Sequence, residues 1–274
     1  MRVYCILGDE RAYRSKSSLM FTNILKQQGI KGSYVPFKVA PDQIGQALHS
    51  LKILNIAGAN ITVPYKEAVI PHLDVLSEGA NIIGAINTIV INNGGELKGY
   101  NTNAIGFMDA MSSVEYDIES KSALVIGTGG AARAVVFVLN WMRTKSIIVA
   151  GRNKEKTGEL ASKLGGEAKS LQTLPDQSLA VDLIINATSV SSIDEAPELA
   201  ALVQQFDIPN CDMIVDLNYD RLNNFWQDLA IAKGIRFMDG LTPLAYQARR
   251  TFSLWTGLQV PPENFLQALK ETGD

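Results

Sequence analysis

"ALVIGTGGAARAVVFVL", residues 123–139, sets a short β-branched run, a glycine-rich turn and a longer apolar run directly after one another. The first run has the pattern of a buried strand and the last that of a helix. Gly127, Gly129 and Ala132 fall in GxGxxA spacing at the junction. Gly127 permits the tight turn and Gly129 lets the backbone approach a pyrophosphate. The small Ala132 lets helix and strand pack closely, with the amides of the helix N-terminus meeting the phosphate charge. The expected cofactor loop is Gly127, Thr128, Gly129, Gly130 and Ala131; a glycine-rich turn that binds nothing is the other reading of the same residues.

Outward from this loop, residues 122–240 repeat strand and helix through "SIIVAGR", "NKEKTGELASKLG", "LIINAT", "MIVDLNY", "NNFWQDLAIAKG" and "IRFMDG". That alternation predicts a doubly wound parallel sheet. An NAD site carries an acid about 20 residues past the glycines to hold the ribose hydroxyls. Here Gly151, Arg152, Asn153 and Lys154 occupy that strand end. Arg152 can stack on adenine and fork onto a 2′-phosphate, which favours NADP. Arg152 and Lys154 also fit a plain solvated helix start.

The first hundred residues have their own βαβα rhythm: "RVYCILG", a helix around "SLMFTNILKQQG", "SYVPFKV", a helix from Asp42, then "LNIAGANITV". "NTIVI", "NNGGE" and "LKGYN" predict a β-hairpin. A helix from about Asn103 to Met111 and a polar linker "SSVEYDIESK" follow, and the tail holds two helices, one through "LAYQARRTFSLWTG" and one opening at Pro262. The polar candidates of this half are neutral: Ser15 and Ser17 in a loop, Asn60 and Thr62 ending a strand, Asn87 and Asn101. In an extended loop Ser15 and Ser17 project to one side, where two hydroxyls can grip a carboxylate or a pair of ring oxygens. Serines so placed equally cap helices or face water.

Composition narrows the class. With 46% hydrophobic and 19% charged residues, the chain can build an enzyme-sized core. A net charge of −3 and no long basic block argue against nucleic acid or an anionic membrane as partner, leaving a small molecule. Cys5 and Cys211 lie far apart and outside any CxxC, and His49 and His72 are the two histidines, so no metal site is expected. No stretch approaches the roughly 18 apolar residues of a membrane span, and the start is too short for a signal peptide; residence is expected to be cytoplasmic.

Taken in order, "GANITVPYK", "GAINT", "GYNTN", "GTGGAARA", "DLNY" and "GLTPLAYQARRTFSLWTG" resemble the shikimate dehydrogenase family over nearly the whole chain. The resemblance implies an α/β protein with a discontinuous substrate domain, residues 1–101 completed by 241–274, clasping a Rossmann-like NADP-binding domain, residues 102–240, across a cleft. It implies interconversion of 3-dehydroshikimate and shikimate. Ser15 and Ser17 would hold the substrate carboxylate, with Thr62, Asn87 and Gln247 around the ring hydroxyls. Lys66 would be the catalytic amine, Tyr219 a substrate-side tyrosine, and Gly240 a backbone approach to the nicotinamide; Arg152, Asn153 and Thr188 would complete the cofactor set. Tyr219 and Gln247 could also be core-edge residues. A monomer or homodimer is expected.

One position breaks the family pattern where it matters most. "GYNTNAIGF", residues 99–107, has Asn103 where the family's "GxNTD" motif ends in the aspartate paired with the lysine. Asparagine can hydrogen bond but cannot exchange a proton or carry charge. Lys66 follows Pro64 in what reads as the first turn of a helix, whose dipole lowers a lysine pKa, and no carboxylate would counter that. The expectation is an amine that works alone, more slowly. Ser18, Phe21, Thr22, Gly151, Ser191, Ser192 and Pro243 also depart from the family pattern. A quinate or aminoshikimate-type dehydrogenase, and a catalytically weak NADP- and cyclitol-acid-binding paralogue, are the alternatives.

Overall fold

From Tyr4 to Gly8, β1 (Arg2–Gly8) is buried on both faces, which is why it reads as a continuous apolar run rather than an alternation. It lies parallel to both β2 (Gly32–Lys38) and β3 (Gly58–Ile61), with α1 (Ser17–Gln27) and α2 (Ile44–Ile53) as crossovers. Beyond β3 the sheet turns antiparallel through the hairpin of β5 (Thr88–Ile91) and β6 (Leu97–Tyr100), preceded by β4 (Val75–Leu76) and α3 (Glu78–Ile83). The order across the sheet is β2-β1-β3-β5-β6-β4.

The remaining elements in chain order are α4 (Thr102–Ser113), β7 (Ser122–Ile126), α5 (Gly130–Trp141), β8 (Ser146–Gly151), α6 (Lys154–Leu164) and β9 (Glu167–Ser170). They continue with β10 (Leu183–Asn186), α7 (Pro197–Val203), β11 (Met213–Asp216), α8 (Phe225–Lys233), β12 (Arg236–Met238), α9 (Leu241–Thr256) and α10 (Pro262–Ala268). This computed structural model describes residues 1–92 and 94–270 and divides into two compact units, Met1–Gly106 with Ala245–Asp274, and Phe107–Leu244. Among the described residues no helix is long and apolar enough to cross a membrane.

Packing explains why the tail belongs to the first unit. The Trp255 indole of α9 stacks on Tyr4 at 4.7 Å between ring centroids and donates its N–H to the Ile89 carbonyl at 3.0 Å. A Cβ on Gly58 would fall inside that indole, so a side chain there would lift α9 off the sheet. Phe21 stacks on Tyr34 at 4.9 Å and meets Phe265 of α10 edge-on. Phe21, a departure from the family pattern, is therefore core rather than site.

In the second unit six parallel strands run β12-β11-β10-β7-β8-β9. The chain builds outward from β7 in one direction, returns, and builds outward from β10 in the other. That is the doubly wound order, and its reversal between β7 and β10 lies beside the glycine loop. β7, β10 and β11 are buried throughout, so each reads as an unbroken apolar run.

Three expectations are corrected. No helix opens at Pro64: residues 63–69 are turns followed by a single 3-10 turn, Ile70–His72. A helix would give the Lys66 carbonyl to the Ile70 amide, whereas here it accepts from Ile86 at 2.8 Å and Ile70 turns to Glu67. Ser15 and Ser17 do not share an extended loop, because Ser17 is already the first residue of α1. Nor is "SSVEYDIESK" a free linker. Tyr116 and Ile118 are buried, and the Tyr116 hydroxyl donates to the Asp212 carboxylate at 2.5 Å while Lys121 pairs with the same carboxylate at 2.7 Å.

Burial pulls the Asp212 carboxyl up, but the hydrogen bonds from Lys121 and Tyr116 outweigh it and leave the group below its ordinary 3.8. The pair therefore stabilises the fold above that value and loses its contribution as pH falls through the lowered one. Lys121→Met is expected to cost under about 1 kcal/mol at neutral pH, because the pair is partly exposed. In urea unfolding the gap from wild type should close below pH 3.8; a gap independent of pH would contradict this.

Candidate active site

At one end of the first sheet the backbone gathers three segments. The Ile61 amide donates to the Asn87 carbonyl, Ile86 to the Lys66 carbonyl, and Asn87 to the Tyr100 carbonyl. Thr62, Lys66, Asn87 and Asn103 thus sit close in sequence to the same strand junction. Gln247 joins them from α9. A Cβ on Gly106 would stand 2.6 Å from the Gln247 backbone nitrogen, so only glycine lets α9 pass so close.

The buried polar side chains here bond one another. Asn60 accepts from the Tyr34 hydroxyl at 2.8 Å and donates to the Asn87 carbonyl and to Thr88 Oγ1. Asn87 donates to Thr102 Oγ1 at 2.8 Å and to Gln247 Oε1 at 2.6 Å, and its own Oδ1 accepts from the Thr102 amide at 2.7 Å. Asn101 caps α4, accepting from the Ala104 amide while its Nδ2 donates to the Ala85 carbonyl. Such a cap is worth about 1 kcal/mol and leaves Asn101 an anchor rather than a ligand-binding group.

Lys66 and Asn103 stand apart from this network. Both are half-buried, and among the described residues neither side chain has a hydrogen-bond partner. Desolvation draws the Lys66 ammonium down from 10.5 to about 8, with no carboxylate to oppose it. The physical cause is thus burial, not the helix dipole read from the sequence, since the turn around Lys66 is no helix. An amine of this kind exchanges its proton near neutral pH.

Ser15 and Ser17 mark the start of α1. Ser15 is half-buried with its Oγ accepting from the Ser17 amide at 3.2 Å, and Ser17 is buried. Two hydroxyls at the positive end of an 11-residue helix suit a carboxylate.

The second unit carries the loop after β7. Gly127 has φ +123°, and an added Cβ would stand 2.8 Å from the Ala187 carbonyl oxygen, so the close approach to the end of β10 demands glycine twice over. Gly129 faces open space: among the described residues nothing beyond its own chain neighbours lies within 4 Å of where its Cβ would be, and no side chain caps the α5 amides it precedes. Ala132 is fully buried against the sheet. Thr128 lies beside Gly151, whose Cβ would stand 2.9 Å from the Thr128 methyl and 2.6 Å from Thr157 Oγ1. Gly151 thereby brings α6 and the glycine loop together. Arg152 is exposed at the strand end, and the Asn153 side chain caps α6 through the Lys156 amide at 3.0 Å. An open glycine, uncapped amides and an arginine in place of an acid fit a phosphorylated dinucleotide.

At the ends of β10 and β11 the buried Asp216 carboxylate accepts from Asn186 at 2.8 Å, Asn224 at 2.8 Å and the Asn218 amide at 3.1 Å. Desolvation raises its pKa, and hydrogen bonds from Ser191, from the Asn218 amide and side chain and from Asn224 oppose the rise. The network fixes Thr188, whose hydroxyl donates to Asn186 Oδ1 at 2.7 Å, and Asn218, whose carbonyl accepts from the Gly240 amide at 2.9 Å. A side chain at Gly240 would strike the Leu217 carbonyl. Tyr219 follows, half-buried, and with Asn218, Arg221, Asp239 and Thr242 it lines a cavity of about 900 Å³ in which the glycine loop takes no part. Ser191, where the family pattern differs, is thus bound into the Asp216 network. Among the described residues no cluster of His, Cys, Asp and Glu is placed to hold a metal ion. Sequence reasoning missed Asp216 and the hydroxyls of Thr88, Thr102 and Thr251; the spacing of Thr251 four residues after Gln247, on one helix face, was the available signal.

Three family descriptions match the chain: shikimate dehydrogenase substrate binding domain over residues 7–89, shikimate/quinate 5-dehydrogenase over 109–221, and shikimate 5′-dehydrogenase C-terminal domain over 240–270. The shikimate dehydrogenase (NADP(+)) of Desulforamulus reducens is 38% identical over 256 residues, 90% of this chain and 87% of its own. That of Geobacillus kaustophilus is 37% identical over 273 residues, 98% of this chain and 97% of its own. The crystal structure of shikimate dehydrogenase from Aquifex aeolicus superposes with a TM-score of 0.86 at 32% identity, covering 99% of this chain and 98% of that one. The Thermus thermophilus enzyme in complex with NADP(H) and shikimate gives 0.85 at 33%, covering 98% and 99%.

Heteronuclear NMR of the lysine side chains should show an amine that titrates near 8 in the wild type and is missing from Lys66→Met. A Lys66 amine titrating near 10.5 would contradict the desolvation argued for it.

Proposed function

The chain belongs to the shikimate dehydrogenase family, and from that premise we propose that Lys66 is the acid/base of its reaction and works without a carboxylate partner. The protein is an NADP-dependent oxidoreductase that interconverts 3-dehydroshikimate and shikimate. The observation that carries the proposal is the half-buried Lys66 amine, which has no hydrogen-bond partner among the described residues and which desolvation draws down to about 8.

NADP, when bound, takes up or returns the hydride. Its phosphates would be held by the loop of Gly127, Thr128, Gly129, Gly130 and Ala131 before α5, with Arg152 and Asn153 serving the 2′-phosphate and Thr188 and Gly240 the nicotinamide. Ser15 and Ser17 bind the substrate carboxylate, and Thr62, Asn87 and Gln247 surround the ring hydroxyls, with Tyr219 as a further substrate-side group. The neutral Lys66 amine accepts the hydroxyl proton as the alcohol carbon becomes a carbonyl. In the reverse direction the ammonium returns that proton to the nascent alkoxide. Asn103 contributes a hydrogen-bonding amide to the same hydroxyl and no charge. The enzyme works in the cytoplasm as a monomer or homodimer.

Two substitutions test these roles. Asn103→Asp should raise turnover, by roughly tenfold for a better oriented proton donor. It should also move the lysine-dependent limb of the pH profile upward by about 1 unit or more, because a close carboxylate favours the ammonium. A downward move, or no change in either, would sink the solitary-lysine account. Arg152→Ala should raise KM for NADP+ by about tenfold, one good charge-assisted contact, with little change for NAD+; equal effects on both would remove Arg152 from the 2′-phosphate.

A further inference from the structure

Three threonine hydroxyls, Thr88, Thr102 and Thr251, are 0%, 2% and 0% exposed and lie 3.2, 2.9 and 3.0 Å from one another. Three hydroxyls offer three protons, and a closed triangle has three O–H···O contacts. When the bonds all run in one rotational sense, every hydroxyl donates once and accepts once within the ring. Thr88 and Thr102 each have a further acceptor site, filled by Asn60 Nδ2 at 3.2 Å and Asn87 Nδ2 at 2.8 Å. The ring is therefore satisfied without water, and Thr251 is the vertex that closes it.

The ring leads to an amide whose orientation follows from a backbone donor. The Thr102 N–H can only donate, so the Asn87 atom that meets it at 2.7 Å is Oδ1. Nδ2 of Asn87 then faces Thr102 Oγ1 and Gln247, and both its protons are used. The Gln247 atom receiving the second proton must be an acceptor, Oε1, which leaves Nε2 turned away from Asn87 with its two N–H donors. An unaided glutamine amide would interconvert its two faces at little cost; this one is fixed through Asn87.

Building on the proposed substrate site, we infer that Thr251 is a positioning residue that acts through Thr102 and Asn87 to hold the Gln247 side chain with its N–H donors toward the ligand, so that Gln247 reads an acceptor oxygen on the cyclic acid. Removing the Thr251 hydroxyl leaves two ring protons and one ring contact. One of the two remaining buried hydroxyls is then left without an acceptor, and Thr102 Oγ1, which takes an Asn87 Nδ2 proton, loses the ring that fixes its own proton.

Thr251→Val keeps the shape and removes the hydroxyl, Thr251→Ser restores it, and Thr251→Ala serves if the valine protein does not fold. In ligand-free protein, side-chain amide NMR should show slow hydrogen exchange for Asn87 Nδ2 in the wild type and in Thr251→Ser, and at least about tenfold faster exchange in Thr251→Val. In turnover assays Thr251→Val should raise KM for shikimate about tenfold, leave kcat within about twofold and leave KM for NADP+ unchanged, with Thr251→Ser near wild type. Unchanged Asn87 exchange in Thr251→Val overturns the ring, and lost protection with unchanged KM overturns its link to substrate. A wild type inactive on shikimate would instead count against the dehydrogenase reading, the exchange result still deciding the ring.

Discussion

The Asn87 side chain is the constraint on which the candidate site depends. Its oxygen takes the Thr102 amide, its two protons go to Thr102 Oγ1 and Gln247 Oε1, and the carbonyl of the same residue takes the Ile61 amide. Four segments distant in sequence are thereby held at one sheet end. Each bond is buried or partly buried, so breaking one leaves a polar group without water to replace its partner. That is how a site made of neutral side chains stays in place without ion pairs.

Against this neutral background Lys66 brings a tunable charge to the candidate site. Its carbonyl is fastened to Ile86 while its amine has no partner among the described residues, and desolvation draws its proton affinity down. In the proposed site a carboxylate at position 103 would favour the charged amine, a pull that Asn103 does not exert. The second unit shows the opposite arrangement at Asp216, a buried carboxylate surrounded by amide and hydroxyl donors, with desolvation still raising its pKa. There the polar groups hold backbone turns at the strand ends rather than move protons.

Much of this was legible in the sequence because periodicity and backbone chemistry act locally. The run from Ala123 to Leu139 specified strand, loop and helix, and the repeats around it specified the doubly wound sheet that six parallel strands form. The hairpin after Asn87 and the glycines at 127 and 129 were readable for the same reason. Short elements escaped: β4 has two residues, β9 reads "EAKS", and α3 is one turn and a half set by the Ser77 cap and the left-handed Gly84. The turn at Lys66 was misread because its carbonyl goes to Ile86, about twenty residues away, and no local pattern encodes that bond. Likewise Tyr116 reads as linker until Asp212 comes beside it, and the threonine ring exists only once α9 returns to the first sheet.

The amine at position 66 is most directly tested by following kcat/KM for shikimate oxidation by the unaltered enzyme across the pH range. A base freed by burial alone gives a rate that climbs with pH and levels off through an apparent pKa near 8, with Lys66→Met lacking that limb. A limb centred near 10.5, or one that survives in Lys66→Met, would mean that another group moves the proton.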